Sequence, residues 1–239
     1  MIEVGVIKNI FRYPVKSMAG ESLESCSLGW HGFEGDRRFA FRRMEDSSGF
    51  PWLTAGRLPA LLRYQPFWGK SGEESKPVLY VRTPEGKELE AGSEALGAEI
   101  AKAYGKDVQL MQFKHGIFDE ASVSLISAST IQGVEAECGK PLDVRRFRPN
   151  LLIESNSAAP FAEDQWVGRI LQFGSDEGPE ISITLRDLRC AMIGMDPDTA
   201  ESDPAILKSV ARINEVCAGV YATVTKTGVV SVGQKLFLK

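Results

Sequence analysis

Over its first hundred residues the chain is cut into short runs of β-branched and aromatic residues, with Gly or Pro between them. Val4 to Phe11 (VGVIKNIF), Leu23 to Leu28 (LESCSL), Arg38 to Met44 (RFAFRRM) and Leu61 to Trp68 are such runs. Gly20, Gly32, Gly35, Gly49 and Pro59 punctuate them. Runs this short, bounded this way, predict strands and leave no room for long helices. Val78 to Glu90 predicts a hairpin turning at Pro84 and Gly86, after a polar loop over Lys70 to Lys76. The first helix signal comes at Ser93 to Tyr104: Leu96, Ile100 and Ala103 share one face, Ser93 can cap the start, and Gly105 ends it. A strand over Val108 to Phe113 then leads to Lys114 to Glu120, a joint between two parts of the chain.

Beyond the joint, Ser122 to Ile126 predicts a strand feeding Ser127-Ala128-Ser129-Thr130 and a helix that closes near Cys138-Gly139. Val144 to Glu154 carries a basic cluster into an apolar strand. Ile181 to Met195 reads as strand and turn, Pro204 to Val216 as an amphipathic helix, and Tyr221 to Leu238 as a hairpin or meander. The expected class is strand-dominated α+β with barrel-like sheets and about three helices. At 239 residues, and roughly 150 residues per domain, the chain holds one large domain or two small ones. We place the division at 1–113 and 114–239.

Charge narrows the function classes. Lys and Arg total 28 against 32 Asp and Glu, a net −4, which argues against a nucleic-acid partner. No apolar run approaches the ~18 residues of a membrane span, and the start lacks the apolar block of a secretory signal. The four cysteines, at 26, 138, 190 and 217, include no pair at zinc-knuckle or thioredoxin spacing. The expected compartment is a reducing cytoplasm.

Within this acidic chain, positive charge gathers beside turns. Lys16-Ser17 follow Pro14-Val15, Arg37-Arg38 follow Gly35-Asp36, and Arg145, Arg146 and Arg148 precede Pro149-Asn150. Guanidinium forks, with the hydroxyl-rich helix start at Ser127, Ser129 and Thr130, are what a phosphate monoester needs. Taken singly, each group reads first as a solvated strand edge; it is the three together in one acidic chain that bring in the anion-site reading. Cys190, after Arg189 and near Arg186, has the cationic surroundings that favour thiolate, a nucleophile and soft metal ligand; its plainer reading is a buried structural thiol, as for Cys26, Cys138 and Cys217. Asp196-Pro197-Asp198-Thr199 reads as an Asx-type turn. His31 and His115 read as surface residues, and no GxGxxG, Walker loop or HExxH occurs.

In order along the chain, Pro14-Val15-Lys16-Ser17, Gly35-Asp36-Arg37-Arg38, Phe147-Arg148-Pro149-Asn150, Arg189-Cys190 and Asp196-Pro197-Asp198-Thr199 resemble the MOSC-domain proteins, named for the C-terminal domain of molybdenum-cofactor sulfurase. The branch it most resembles has an N-terminal β-barrel domain, as in the mitochondrial amidoxime-reducing component and its bacterial relatives. The resemblance implies an N-terminal barrel over 1–113, a MOSC-type barrel with a few helices over 114–239, and a molybdenum cofactor of the molybdopterin type. It implies cofactor binding by Lys16, Ser17, Arg37, Arg148 and Asn150, with Ser127, Ser129 and Thr130 at the phosphate. Arg57 looks like the arginine of a T-x-R-x-x-P element, here with one residue inserted. Cys190 becomes the molybdenum ligand, and Asp198 borders it as a catalytic residue. The branch continues its acidic turn with Gly where this chain has Ala200, which puts the turn geometry in question.

The implied activity is a molybdenum-dependent oxidoreductase that reduces N-hydroxylated small molecules with electrons from a separate flavin or iron–sulfur donor. The alternative is a carrier of cofactor, or of persulfide sulfur on Cys190 delivered by a desulfurase. A further alternative is a binding module that keeps only an anion pocket.

Overall fold

The computed structural model describes residues 1–70 and 77–239. Most of the polar stretch at 70–76, expected as a loop, lies outside the described residues.

Seven strands close a barrel. Ile2–Arg12 pairs with Leu151–Ser155, which pairs in turn with Val123–Ser127, Cys217–Lys226, Glu180–Leu188, Ile170–Phe173 and Lys235–Leu238; this last strand returns to Ile2–Arg12. All pairings are antiparallel except Val123–Ser127 with Leu151–Ser155. A parallel pair needs a crossover, which here is the helix Ala128–Cys138. To name the helices in order, α1 is Glu94–Tyr104, α2 is Ala128–Cys138 and α3 is Pro204–Asn214. The crossover helix is α2, and it packs with α3 on the outside of the barrel over Ile131, Val134, Phe147, Ile193, Ile206 and Val210. The barrel interior is filled by alternate residues of its strands, among them Ile7, Ile10, Leu125, Ile153, Phe173, Ile183 and Val220.

A second core lies under α1, where Val15, Phe39, Phe41, Leu61, Leu79, Val81, Leu96 and Ile100 meet. Its strands are Phe39–Arg43 with Val108–Gln112, and Gln65–Lys70 with Pro77–Arg82 and Glu88–Glu90. The barrel thus takes strands from both sides of the 114–120 joint, and that joint carries neither helix nor strand.

The strand-dominated α+β expectation holds, with three α-helices among the described residues. Helix α1 starts and ends as its sequence dictates: Ser93 Oγ accepts from Leu96 N, and Gly105 takes the left-handed conformation. Two local expectations need correction. Leu61 to Trp68 is not one strand: Pro59–Arg63 forms a 3-10 turn before the strand begins at Gln65, as Pro at the first position favours. The tail is not a hairpin or meander, because Gly228–Ser231 pairs with Ser25–Gly29 and Lys235–Leu238 pairs with Ile2–Arg12. Both partners lie two hundred residues away in sequence, beyond the reach of local pattern.

Candidate functional site

The two cores and the α2–α3 layer meet at a pocket of about 520 Å³, a volume in the range of small-molecule sites. Lys16, Ser17, Arg37, Arg148 and Cys190 all line it, so four segments far apart in sequence converge there. Three of these residues have left-handed backbone without being glycine: Ser17 at φ 66°, Arg37 at 49° and Arg148 at 49°. That conformation costs an L-residue of order 1–3 kcal/mol and clusters where function requires it.

Asp36 organises the basic wall. Its fully buried carboxylate accepts from Tyr13 N at 2.7 Å, Arg37 Nη1 at 2.5 Å and Asn150 Nδ2 at 3.0 Å. Burial pulls the Arg37 pKa down, but the Asp36 charge outweighs it, so Arg37 is held above the usual arginine value. Its Nη2 also donates to Arg148 O at 3.1 Å. Asn150 is a brace: its Oδ1 accepts from Ser124 N at 3.1 Å and its Nδ2 also donates to Phe11 O at 3.3 Å. Lys16 Nζ donates to Asp119 Oδ1 at 2.7 Å and Ile117 O at 3.3 Å. Burial lowers its pKa, with Asp119 opposing.

Arg148 differs from both. Among the described residues its guanidinium has no carboxylate within ion-pair distance and no hydrogen-bond acceptor. Desolvation pushes its pKa down to about 10. It lies 4.3 Å from the centroid of the Tyr13 ring, and Arg37 lies 4.7 Å from the same ring, a doubled cation–π contact. Burial pushes the Tyr13 pKa up to about 12, so this ring stays neutral while its hydroxyl donates to Pro149 O at 3.2 Å.

Leu188, Cys190, Met192 and Phe50 also line the pocket. Cys190 is exposed, whereas Cys26 and Cys217 are buried. Bulges between Ile183 and Leu185 and between Arg186 and Leu188 break the strand's alternation just before it, as bulges beside sites do. The cationic neighbours expected for this thiol are engaged elsewhere. Arg189 donates to Ala218 O and Phe147 O, and Arg186 pairs with Glu215 and Asp164. Gly219 lets Arg189 in: its φ is +83°, and a Cβ there would stand 2.5 Å from Leu125 O.

The MOSC domain signature matches residues 112–237, and the MOSC N-terminal beta barrel domain signature matches residues 4–126. The chain belongs to the MOSC-domain family. The family binds molybdenum cofactor in general. A solved structure of the YuaD protein from Bacillus subtilis superposes with a TM-score of 0.52 at 12% identity, covering 98% of this chain and 95% of that one. YiiM from Geobacillus stearothermophilus gives a TM-score of 0.38 at 18% identity over 49% of this chain and 54% of that one. No curated protein matches the chain.

The pocket of this MOSC protein fits such a cofactor in its donor set. Among the described residues no cluster of three His, Cys, Asp or Glu could hold a metal unaided. A metal at the exposed Cys190 thiol must therefore bring further ligands with it, which a metal–pterin does. Arg148, with no acidic partner among the described residues, leaves a positive charge free in the same pocket.

Other expected residues lie outside this MOSC pocket. Ser127, Ser129 and Thr130 do not line it. Ser127 N and Oγ instead donate to the buried Glu163 carboxylate at 3.0 and 2.9 Å, and Thr130 Oγ1 accepts from Phe161 N. The start of α2 thus already faces a protein anion. Arg57 is exposed and borders a separate depression with Arg43 and Lys106, while Thr54 and Gly56 line the pocket. Asp198 pairs with Arg145 at 2.7 and 2.9 Å. Asp196 Oδ1 accepts from Asp198 N and Thr199 N, the Asx turn expected. Ala200 keeps the left-handed geometry of a glycine, at φ 64°. His31 and His115 are exposed, as expected, with their rings in edge contact.

The sequence reading missed Tyr13, Asp119, Asp187 and Tyr221. Tyr13 had a signal, standing directly before Pro14-Val15-Lys16-Ser17; the other three had none.

Proposed function

We propose that the pocket binds a molybdenum cofactor of the molybdopterin type and that the chain reduces N-hydroxylated small molecules. The observation that carries this reading is the unpartnered Arg148 guanidinium sharing one pocket with the exposed Cys190 thiol. Arg148, with Arg37 and Lys16 beside it, would neutralise the pterin phosphate; Tyr13 and Asn150 would hold those cations in place. Cys190 would ligate the metal. When bound, the cofactor supplies the two-electron exchange with the substrate N–O bond. The apolar side chains of Leu188, Met192 and Phe50 would exclude water from the organic part of a ligand. Electrons would come from a separate flavin or iron–sulfur protein.

The test is expression in a host replete with cofactor, followed by molybdenum and pterin analysis of the purified chain. Equimolar metal and pterin, with donor-dependent reduction of an N-hydroxylated amidine, are the expected results. Protein free of both refutes the reading. The exposure of Cys190 also favours a second reading, a persulfide carrier. In that case the wild-type chain, incubated with a desulfurase, gains one sulfur by mass, and Cys190→Ser does not.

A further inference from the structure

Two aspartates neutralise the basic wall, and they are held in different ways. Asp36 is fully buried and accepts from three donors. Asp119 stands on the 114–120 joint, lines the pocket and has a side chain 68% exposed. Among the described residues its carboxylate has one partner, the Lys16 ammonium, at 2.7 Å. Lys16 is the opposite case, with a side chain only 5% exposed. A buried ammonium without a counter-charge is costly, and the guanidiniums of Arg37 and Arg148 add to that cost by repulsion. The backbone keeps Asp119 within reach: Ile117 N donates to Arg37 O at 2.9 Å, and Ile117 O accepts from Lys16 Nζ at 3.3 Å. The carboxylate itself is held only by Lys16, and most of it already meets water.

We propose that Asp119 is an internal stand-in for the anionic group of the ligand. It occupies the Lys16 ammonium until an incoming phosphate monoester takes its place and sends the carboxylate into water. The proposal rests on the anion-binding part of the reading above, and goes beyond it in making binding an exchange of one anion for another. Asp119 loses little solvation on either side of the exchange, and Ile117 stays tied to Arg37, so the carboxylate returns when the ligand departs. Such a residue stabilises the ligand-free chain and weakens binding, since the apparent Kd rises as the fraction of time that the site stands open falls. A residue that only shapes the site acts otherwise: its removal weakens folding and binding together.

The experiment uses the full chain, free of metal and pterin, with methyl phosphate as the probe, and compares Asp119→Asn with Glu120→Gln. Glu120 also lines the pocket and is exposed, and among the described residues it pairs with no cation. The two variants therefore change the net charge equally. Asp119→Asn should bind methyl phosphate about tenfold more tightly by calorimetry, as expected of a wild-type site open about one-tenth of the time. It should also melt about 2–4 °C lower. Glu120→Gln should shift the affinity by less than about twofold and leave the melting temperature where it was. Equal gains in the two variants overturn the proposal, because the effect is then one of net charge. So does an Asp119→Asn chain that binds no more tightly than the wild type, or that melts with it. Those outcomes leave the function reading standing. If neither the wild type nor Asp119→Asn binds methyl phosphate, the anion site of that reading is refuted and the exchange falls with it.

Discussion

Arg37 and Arg148 flank the same tyrosine ring, yet their removal should have opposite consequences. Arg37 neutralises Asp36, a carboxylate with no exposure at all. Arg37→Met strands that charge, and breaking a buried pair by removing one partner costs about 3–5 kcal/mol. For a chain of this size each kcal/mol is worth roughly 2–4 °C, so the melting temperature should drop by about 6–20 °C. Among the described residues no carboxylate forms an ion pair with Arg148, and its desolvation is already unfavourable. Arg148→Met forfeits one cation–π contact, about 1 kcal/mol, and regains the desolvation term, so the melting temperature should move by no more than about 4 °C. Its effect belongs in binding. A charge-assisted hydrogen bond to phosphate is worth about 1.5–3 kcal/mol, which is roughly a 10–150-fold loss of affinity. Calorimetry on metal-free protein, once as a thermal scan and once titrating a phosphate monoester, reads both numbers. The reasoning is refuted if Arg148→Met melts as low as Arg37→Met, or if it binds the phosphate monoester as tightly as the wild type.

Three further outcomes are expected. The folded pKa of Asp187 is raised to about 6, above an unfolded value of about 3.9; its contribution is therefore intact below about pH 4 and lost as pH rises through 6. Denaturant titrations should show wild type losing about 3 kcal/mol relative to Asp187→Asn between pH 4 and pH 8. Glu163→Ala removes both acceptors from Ser127 and should cost about 2–3 kcal/mol while leaving phosphate-monoester affinity as it was; a loss of that affinity would return the α2 start to the binding site. Ala200→Gly relieves a left-handed alanine and should stabilise the chain by about 0.5–1 kcal/mol, measurable as a higher denaturation midpoint.

Elements whose boundaries are written in adjacent residues could be read directly. Ser93 and Gly105 bracket α1, and Gly139 ends α2 in the left-handed conformation. The basic groups at Lys16, Arg37 and Arg148 were legible because each sits beside a turn signal. Their convergence was not, since it depends on a barrel closed by long-range pairing. For the same reason Ser127 looked like a phosphate site: its anion, Glu163, lies on a distant 3-10 turn. Arg186 and Arg189 stand near Cys190 in sequence, but the bulges around them turn both guanidiniums to other partners. Asp187 gave no sign because burial, not spacing, makes it unusual.

The barrel closes by pairing residue 2 with residue 238. Strand Ile2–Arg12 hands the chain to Tyr13 and Lys16, the residues that seat the basic wall, so that wall hangs from the last ladder to form. Until Lys235–Leu238 is in place, the barrel keeps an open edge beside Ile2–Arg12. Such a topology folds slowly and exposes its edges while waiting. A ligand of this pocket should therefore be captured only once Lys235–Leu238 has paired with Ile2–Arg12.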